Sequence, residues 1–247
     1  MGIDESVEDE RRTPSPKSTM IRRTIGSKAM TDVRSPIDLR DPATASTWAA
    51  EANRTRPYRN DIFDRMAEEL RDLAPGSALL ELGSGPGFLA EALLEVVPVR
   101  TYTLLDFSDA MHGLARERLA DHVSRCVYIT SDFLKPDRSA GLGTFEAIVT
   151  LQAVHELRHK RRATTLHRAV RALLERGGLY LVCDHFAGLG GMQDHDLYAT
   201  IEEQAQALLD AGFSDVCQIH RVGSLVLHRA RVSSVQWPKC TRDARGV

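Results

Sequence analysis

Long apolar runs are missing from this sequence. None approaches the roughly 20 residues that a membrane-crossing helix needs, so no membrane partner is expected. Cysteine is scarce, with four in 247 residues. No two of them form a C-x-x-C pair, and neither a disulfide framework nor a zinc-site spacing is visible. Cys126, Cys183 and Cys217 sit in apolar, strand-like runs, where a free thiol behaves as a small hydrophobe. Excess positive charge is absent too. The 32 lysines and arginines against 34 aspartates and glutamates leave a formal −2, so no global field gathers nucleic acid or anionic lipid. Asp184-His185 and Asp194-His195 supply ligand types, but their spacing fits no closed site and no metal is expected. No signal-peptide core opens the chain, and Asp4, Glu5, Glu8, Asp9 and Glu10 disfavour a mitochondrial presequence. The expected compartment is the cytoplasm. Nothing repeats at a fixed period, which excludes solenoids.

What is present divides into three parts. Residues 1–41 begin charged, pass through TPSPKS and RSP, and develop no period. They read as a disordered N-terminal tail. Residues 42–232 form one domain that includes N-terminal cap helices, and 233–247 read as a C-terminal tail. Within the domain, TASTWAAEAN reads as a short helix. PYRNDIFDRMAEELRDL is a stronger one, with Ile62, Met66, Leu70 and Leu73 at helical spacing. Strands are expected at 78–82, 102–107, 126–130, 145–152 and 178–186. Helices fall between them, the one over 159–175 stopped by Gly177-Gly178. A helix over DLYATIEEQAQALLDAGF follows, then two strands joined through Arg221-Val222-Gly223 as a hairpin. Five strands alternating with helices predict an α/β fold, a mostly parallel sheet covered on both faces, with an antiparallel strand at the end.

The chemistry is carried by Leu79-Leu80-Glu81-Leu82-Gly83-Ser84-Gly85-Pro86-Gly87-Phe88, a buried strand, a glycine loop and a helix start. Open α/β sheets bind ligands beyond the carboxyl ends of their strands, and glycine there lets a ligand reach the backbone. Asp106 ends the next strand. An acid about 20 residues past such a loop accepts hydrogen bonds from ribose hydroxyls. The third strand ends in Ser131-Asp132-Phe133, where a carboxylate suits a base's amine and Phe133 and Phe107 offer apolar faces. These features imply an adenosine-containing ligand. The loop is G-x-G-x-G rather than the dinucleotide G-x-G-x-x-G, and no P-loop is present. Glu81 would repel a pyrophosphate but welcome a cationic amino-acid moiety. S-adenosylmethionine carries that moiety together with adenine and ribose.

On these residues, 76–232 resemble the class I S-adenosylmethionine-dependent methyltransferases, small-molecule enzymes in particular. E-L-G-S-G-P-G at 81–87 matches the family's first motif. Leu105-Asp106 with Ser108 and Met111 is similar to the second, and Ser131-Asp132-Phe133 to the third. The segments 145–157 and 174–180 resemble those of the fourth strand and of the approach to the fifth. The resemblance implies a Rossmann-like seven-stranded sheet in the order 3-2-1-4-5-7-6 with strand 7 antiparallel. It implies S-adenosylmethionine as cofactor. Glu81, Gly83, Ser84, Gly85 and Gly87 would lie along its methionine half, and Asp106 on the ribose. Phe107, Met111, Asp132 and Phe133 would surround the adenine, with Leu151 and Gln152 beside the sulfonium. Arg56 and Tyr58 are candidates from the cap helices.

The resemblance also implies the reaction, in-line transfer of a methyl group to a nucleophile. No tetrad of the N/D-P-P-Y kind and no Pro-Cys pair after the fourth strand occurs. This leaves an O or N atom of a small-molecule acceptor. His155, in the loop after the fourth strand, is the candidate catalytic residue, with a purely structural role as the alternative. The glycine-rich 186–193 segment is the expected lid, with Trp48, Arg56 and Tyr58 adding to the wall. Arg158-His159-Lys160-Arg161-Arg162 reads as a solvated charged face. It also keeps open a methyltransferase acting on RNA or protein. A non-catalytic module that keeps the fold is the third reading, against which the intact glycine loop speaks.

Overall fold

The computed structural model describes residues 32–56, 58–132, 135 and 141–232. Seven strands make one sheet: β1 (Ala78–Leu82), β2 (Thr101–Asp106), β3 (Cys126–Thr130), β4 (Phe145–Leu151), β5 (Leu174–His185), β6 (Asp215–Val222) and β7 (Leu225–Arg231). Their order is β3-β2-β1-β4-β5-β7-β6. β1 to β5 run parallel, and β7 is antiparallel to both its neighbours. This is the expected order. Among the described residues, six α-helices accompany the sheet: α1 (Pro42–Thr55), α2 (Arg59–Leu70), α3 (Phe88–Val96), α4 (Asp109–Arg118), α5 (Ala163–Leu173) and α6 (Ile201–Asp210).

Successive strand residues point to opposite faces, and each face buries its own core. Leu79, Leu104, Val149 and Leu181 meet Ile62 and Met66 of α2 and Leu89 and Leu93 of α3. Leu80, Leu105, Ile148 and Val182 meet Leu166 and Val170 of α5 and Leu208 of α6. The two-sided burial explains why β1 and β2 read as continuous apolar runs.

Three boundaries differ from the sequence expectation, each for a local reason. The helix expected over 159–175 is shorter. Val154–Leu157 and Lys160–Arg162 are 3-10 turns, α5 begins at Ala163, and its chain passes directly into β5 at Leu174. Gly177-Gly178 do not stop the helix. They sit inside β5, where the pairing with β4 shifts register and a Cβ on Gly178 would stand 2.9 Å from the Glu175 carbonyl. α6 starts late because Thr200 and Glu203 form a reciprocal capping box, while the Asp194 carboxylate accepts from Asp196 and Leu197 N–H and turns the preceding chain. The last hairpin pairs Val222 with Leu225, leaving Gly223-Ser224 as a two-residue turn. Cys217 is not a free thiol. It is disulfide-bonded, whereas Cys126 and Cys183 are free.

Residues 1–31 and 233–247, read as tails, lie outside the described residues, as does Phe133. Residues 32–41, assigned to the same tail, are held against the domain. Val33 N–H donates to the Arg158 carbonyl at 3.0 Å, Arg158 Nε donates to the Val33 carbonyl at 2.7 Å, and Arg162 pairs with Asp32 at 2.7 Å. No helix among the described residues is long and apolar enough to cross a membrane.

The core contains charge-sensitive polar groups. Burial lowers His167 to a pKa of about 3 and His228 to about 4. Neither ring nitrogen of His228 has a partner among the described residues. Both imidazoles are neutral when folded, whereas an unfolded histidine titrates near 6.5. Their stability contribution is therefore complete above about pH 6.5 and is lost as pH falls toward 4. The melting temperature should decline across that window. His228→Leu should flatten the decline without lowering the value at pH 7.5, because it removes an unsatisfied buried group. An unchanged pH dependence in this variant would contradict the assignment.

Candidate functional site

The glycine loop leaves the carboxyl end of β1 and caps α3. Gly83 and Ser84 N–H both donate to the Leu105 carbonyl at the end of β2, at 2.8 and 3.1 Å. Gly85 has φ +54 and would carry a Cβ into open space, so nothing packs against its Cα. Gly87, at φ +81, is a packing glycine: a Cβ would stand 3.3 Å from Ala115 of α4. The hydroxyl of Ser84 is buried and finds no partner among the described residues.

Two buried carboxylates stand below this loop. Asp106 accepts from Gly85 N–H at 2.8 Å and from Ser108 N–H at 2.9 Å. Burial raises its pKa to about 6 even against these donors. The Phe107 backbone adds a third hydrogen bond, and since a carboxylate has about four acceptor positions, one remains for a ligand. Glu81 accepts from the Tyr102 hydroxyl at 2.8 Å, and burial raises it to about 8. Arg59, at the start of α2, is buried among Phe63 and Phe88 and acts electrostatically on Glu81. Its own pKa falls to about 10, through burial first and Arg56 second.

These features fit the cofactor that the resemblance implies. An open glycine face, an unpartnered serine hydroxyl, and carboxylates at two adjacent strand ends suit an amino acid joined to a nucleoside. Glu81, Ser84, Gly85 and Asp106 would hold it. The remaining expected residues distribute around them. Gly83 supports the loop through its bond to Leu105. Met111 is buried in the first turn of α4, where its N–H donates to the Ser108 hydroxyl at 3.2 Å. Phe107 and Asp132 lie at the ends of β2 and β3, both contacted by Arg40. Leu151 is buried at the end of β4, and Gln152 follows it with φ +55, a strained backbone for a non-glycine residue. Arg56 ends α1 half-buried. Tyr58 lies against Gly223 in the β6–β7 turn and packs on the core.

A second cluster surrounds His155. β4 and β5 are neighbours, so the residues after Leu151 meet the end of β5. Asp184 accepts from both the backbone N–H and the Nδ1 of His155, at 2.8 and 2.7 Å. His155 Nε2 stands 3.4 Å from Glu156, whose other oxygen takes Arg158 at 3.0 Å. Burial opposes charge on His155, but the two carboxylates outweigh it and raise the ring to about 10. His185 behaves oppositely. Burial lowers it to about 4, with His155 and Arg56 adding to the effect. Its Nδ1 meets Ser224 at 2.7 Å and its Nε2 meets the Gln152 amide at 2.9 Å. Tyr198 lies edge-on or tilted to both rings at 5.6 and 5.8 Å. The two imidazoles thus have pKa values driven apart by their surroundings.

Sequence reasoning missed Arg59, Asp184, Glu156 and Arg40. Arg59 had a signal, an arginine one turn before Ile62 on the buried stripe of α2. In the sequence, Asp184-His185 stands out only as a pair of metal-ligand types. The basic run is tied internally: Arg158 to Glu156, Lys160 to Glu203 and Arg162 to Asp32. In the 186–193 segment, Gly191 is set by close approach, since a Cβ there would lie 2.2 Å from the Phe186 carbonyl. Leu189, Gly190 and Gln193 are its exposed residues, Leu189 almost completely so.

Comparison with known proteins agrees with this geometry. Residues 79–178 match the model of a methyltransferase domain. The chain is 26% identical over 193 residues to the highly reducing polyketide synthase PKS2 of Leptosphaeria maculans, covering 67% of this chain and 8% of that protein. It thus spans under a tenth of that relative's length. The fold is similar to that of the CurJ carbon methyltransferase, with TM-score 0.55 and 20% identity over 67% of this chain and 51% of that one. It is also similar to an O-methyltransferase family protein from Burkholderia thailandensis, with TM-score 0.58 and 18% identity over 76% and 62% of the two chains. Residues 79–178 are thus similar to a methyltransferase domain, and the fold is that of the methyltransferase structures it resembles.

Proposed function

We propose that the protein transfers a methyl group from S-adenosylmethionine to a small-molecule acceptor that gives up a proton at His155. The hydrogen-bonded pair of His155 and Asp184 carries this reading. The cofactor, when bound, supplies a methyl group on positively charged sulfur. An amine acceptor with a free lone pair needs no base. A hydroxyl, or a carbon acidified by a neighbouring carbonyl, does. The dyad therefore favours oxygen or carbon over nitrogen. The likeness to a polyketide synthase and to a carbon methyltransferase supports the carbon choice.

The chain's residues divide the work. Asp184 fixes the ring of His155 and stabilises its protonated form. Glu156 occupies Nε2, so His155 takes a proton only after this carboxylate moves away and the ring loses its own proton. Arg158, on the other oxygen of Glu156, is placed to hold it aside. His185 and Ser224 orient Gln152 at the end of β4. Burial of His155 and Asp184 excludes water and strengthens their interaction. Holding acceptor and methyl donor in line supplies much of the remaining acceleration.

Two sets of variants test the reading. Gly85→Val should abolish binding of S-adenosylhomocysteine, and Asp106→Ala should weaken it by roughly 1.5–3 kcal/mol, as for loss of a hydrogen bond to a charged group. Calorimetry measures both; tight NAD binding without a response to S-adenosylhomocysteine would overturn the cofactor. For catalysis, the rate should rise with pH through the titration of His155, because the base must be unprotonated. Glu156→Gln should move that limb to lower pH and raise turnover at pH 7, since Glu156 stabilises the imidazolium. His155→Ala should remove the limb and cut turnover on the order of 100-fold or more, with cofactor affinity unchanged. A limb that persists in His155→Ala would assign the proton transfer elsewhere.

A further inference from the structure

Residues 32–41 are fixed at two separated places. At one end, Val33 and Arg34 carbonyls accept from Arg158 at 2.7 Å each, and Asp32 pairs with Arg162. Both arginines follow β4. At the other end, the Leu39 carbonyl accepts from the Ser108 hydroxyl at 2.5 Å, after β2. Arg40 lies 4.4 Å over the Phe107 ring and 3.5 Å from the Asp132 carboxylate, after β3. β1 lies between β4 and β2 in the sheet. A chain anchored on both sides of β1 at the carboxyl edge crosses in front of the glycine loop. The span is feasible: three strand spacings are about 15 Å, and the extended chain from 32 to 40 reaches about 26 Å.

We propose that residues 32–41 are a strap closing the cofactor cleft, in which Arg40 takes the adenine's place between Phe107 and Asp132. The inference rests on reading the cleft as the S-adenosylmethionine site. The chemistry of the two occupants is alike. A guanidinium is planar, stacks on an aromatic face and donates to a carboxylate. Adenine also is planar and presents an amine. Both cannot use Phe107 and Asp132 together, so cofactor entry requires Arg40 to leave. The Arg40 side chain is 59% exposed, so burial does not fix it; Phe107, Asp132 and, at 4.0 Å, Asp38 are its contacts. The far end of the strap lies on Arg158, which also holds Glu156 beside His155. Lifting the strap therefore loosens the acceptor side of the cleft as well.

Binding of S-adenosylhomocysteine to the full chain and to Arg40→Ala tests the strap, with the melting temperature as a check on folding. The variant should bind several-fold tighter and associate faster in stopped-flow mixing. In the wild type, saturating S-adenosylhomocysteine should speed tryptic cleavage after Arg40, read by mass spectrometry as a fragment beginning at Asp41. Equal or weaker binding by Arg40→Ala, or protection of Arg40 from trypsin by the ligand, would overturn the competition and make Arg40 a fixed wall. If neither protein binds S-adenosylhomocysteine, the cofactor assignment itself fails and the strap's role with it.

Discussion

Two carboxylates buried at adjacent strand ends are the constraint on which the site depends. Glu81 and Asp106 are 2% and 4% exposed, in a place where an uncompensated charge costs several kcal/mol. The fold answers each differently. Asp106 is met by backbone N–H groups, and that contact pulls Gly85 over the end of β2 and sets the path of the whole loop. Glu81 is met by Tyr102 within the sheet and by the field of Arg59 from the cap helices. Both remain raised in pKa, so they favour a ligand that brings positive charge and hydroxyl donors. A nucleoside attached to a cationic amino acid meets both demands.

The residues around His155 are organised by Asp184. Asp184 holds His155 by backbone and ring at once, which pins the loop after β4 to the end of β5. The same contact sets the two histidines apart, one held as a cation between acids and one kept neutral by burial. Methyl transfer needs little from the protein beyond alignment, so a proton-handling pair is informative about the acceptor. On the function proposed above, it favours nucleophiles that must first lose hydrogen. The ties from Arg158 and Arg162 to residues 32–34 then join this cluster to the N-terminal segment.

Much of this was legible in the sequence where the determinant is local. Seven strands, the glycine loop and the acid ending β2 follow from apolar runs and turn chemistry. The misread boundaries are places where tertiary contact overrides local preference: Gly178 under Glu175, and Thr200 and Glu203 displacing the start of α6. The site residues that were missed depend on long-range approach. Asp184 gains its meaning from lying beside His155, 29 positions away, and Arg158 from meeting Val33, 125 positions away. No periodicity encodes such pairs. Residues 32–41 lacked any apolar period because their hold on the domain is made by carbonyls and ion pairs.

The central claim is that the cleft is built around buried acids awaiting a cationic nucleoside. Proton release on binding tests it most directly. With Glu81 raised to about 8 and Asp106 to about 6, Glu81 is largely protonated at pH 7. A cationic amino-acid group arriving beside it lowers that pKa again. Calorimetry of S-adenosylmethionine binding at pH 7, repeated in buffers of different ionisation enthalpy, should therefore show release of about one proton per site. Glu81→Gln should abolish that release. Binding without proton exchange, or no binding of S-adenosylmethionine, would contradict the account.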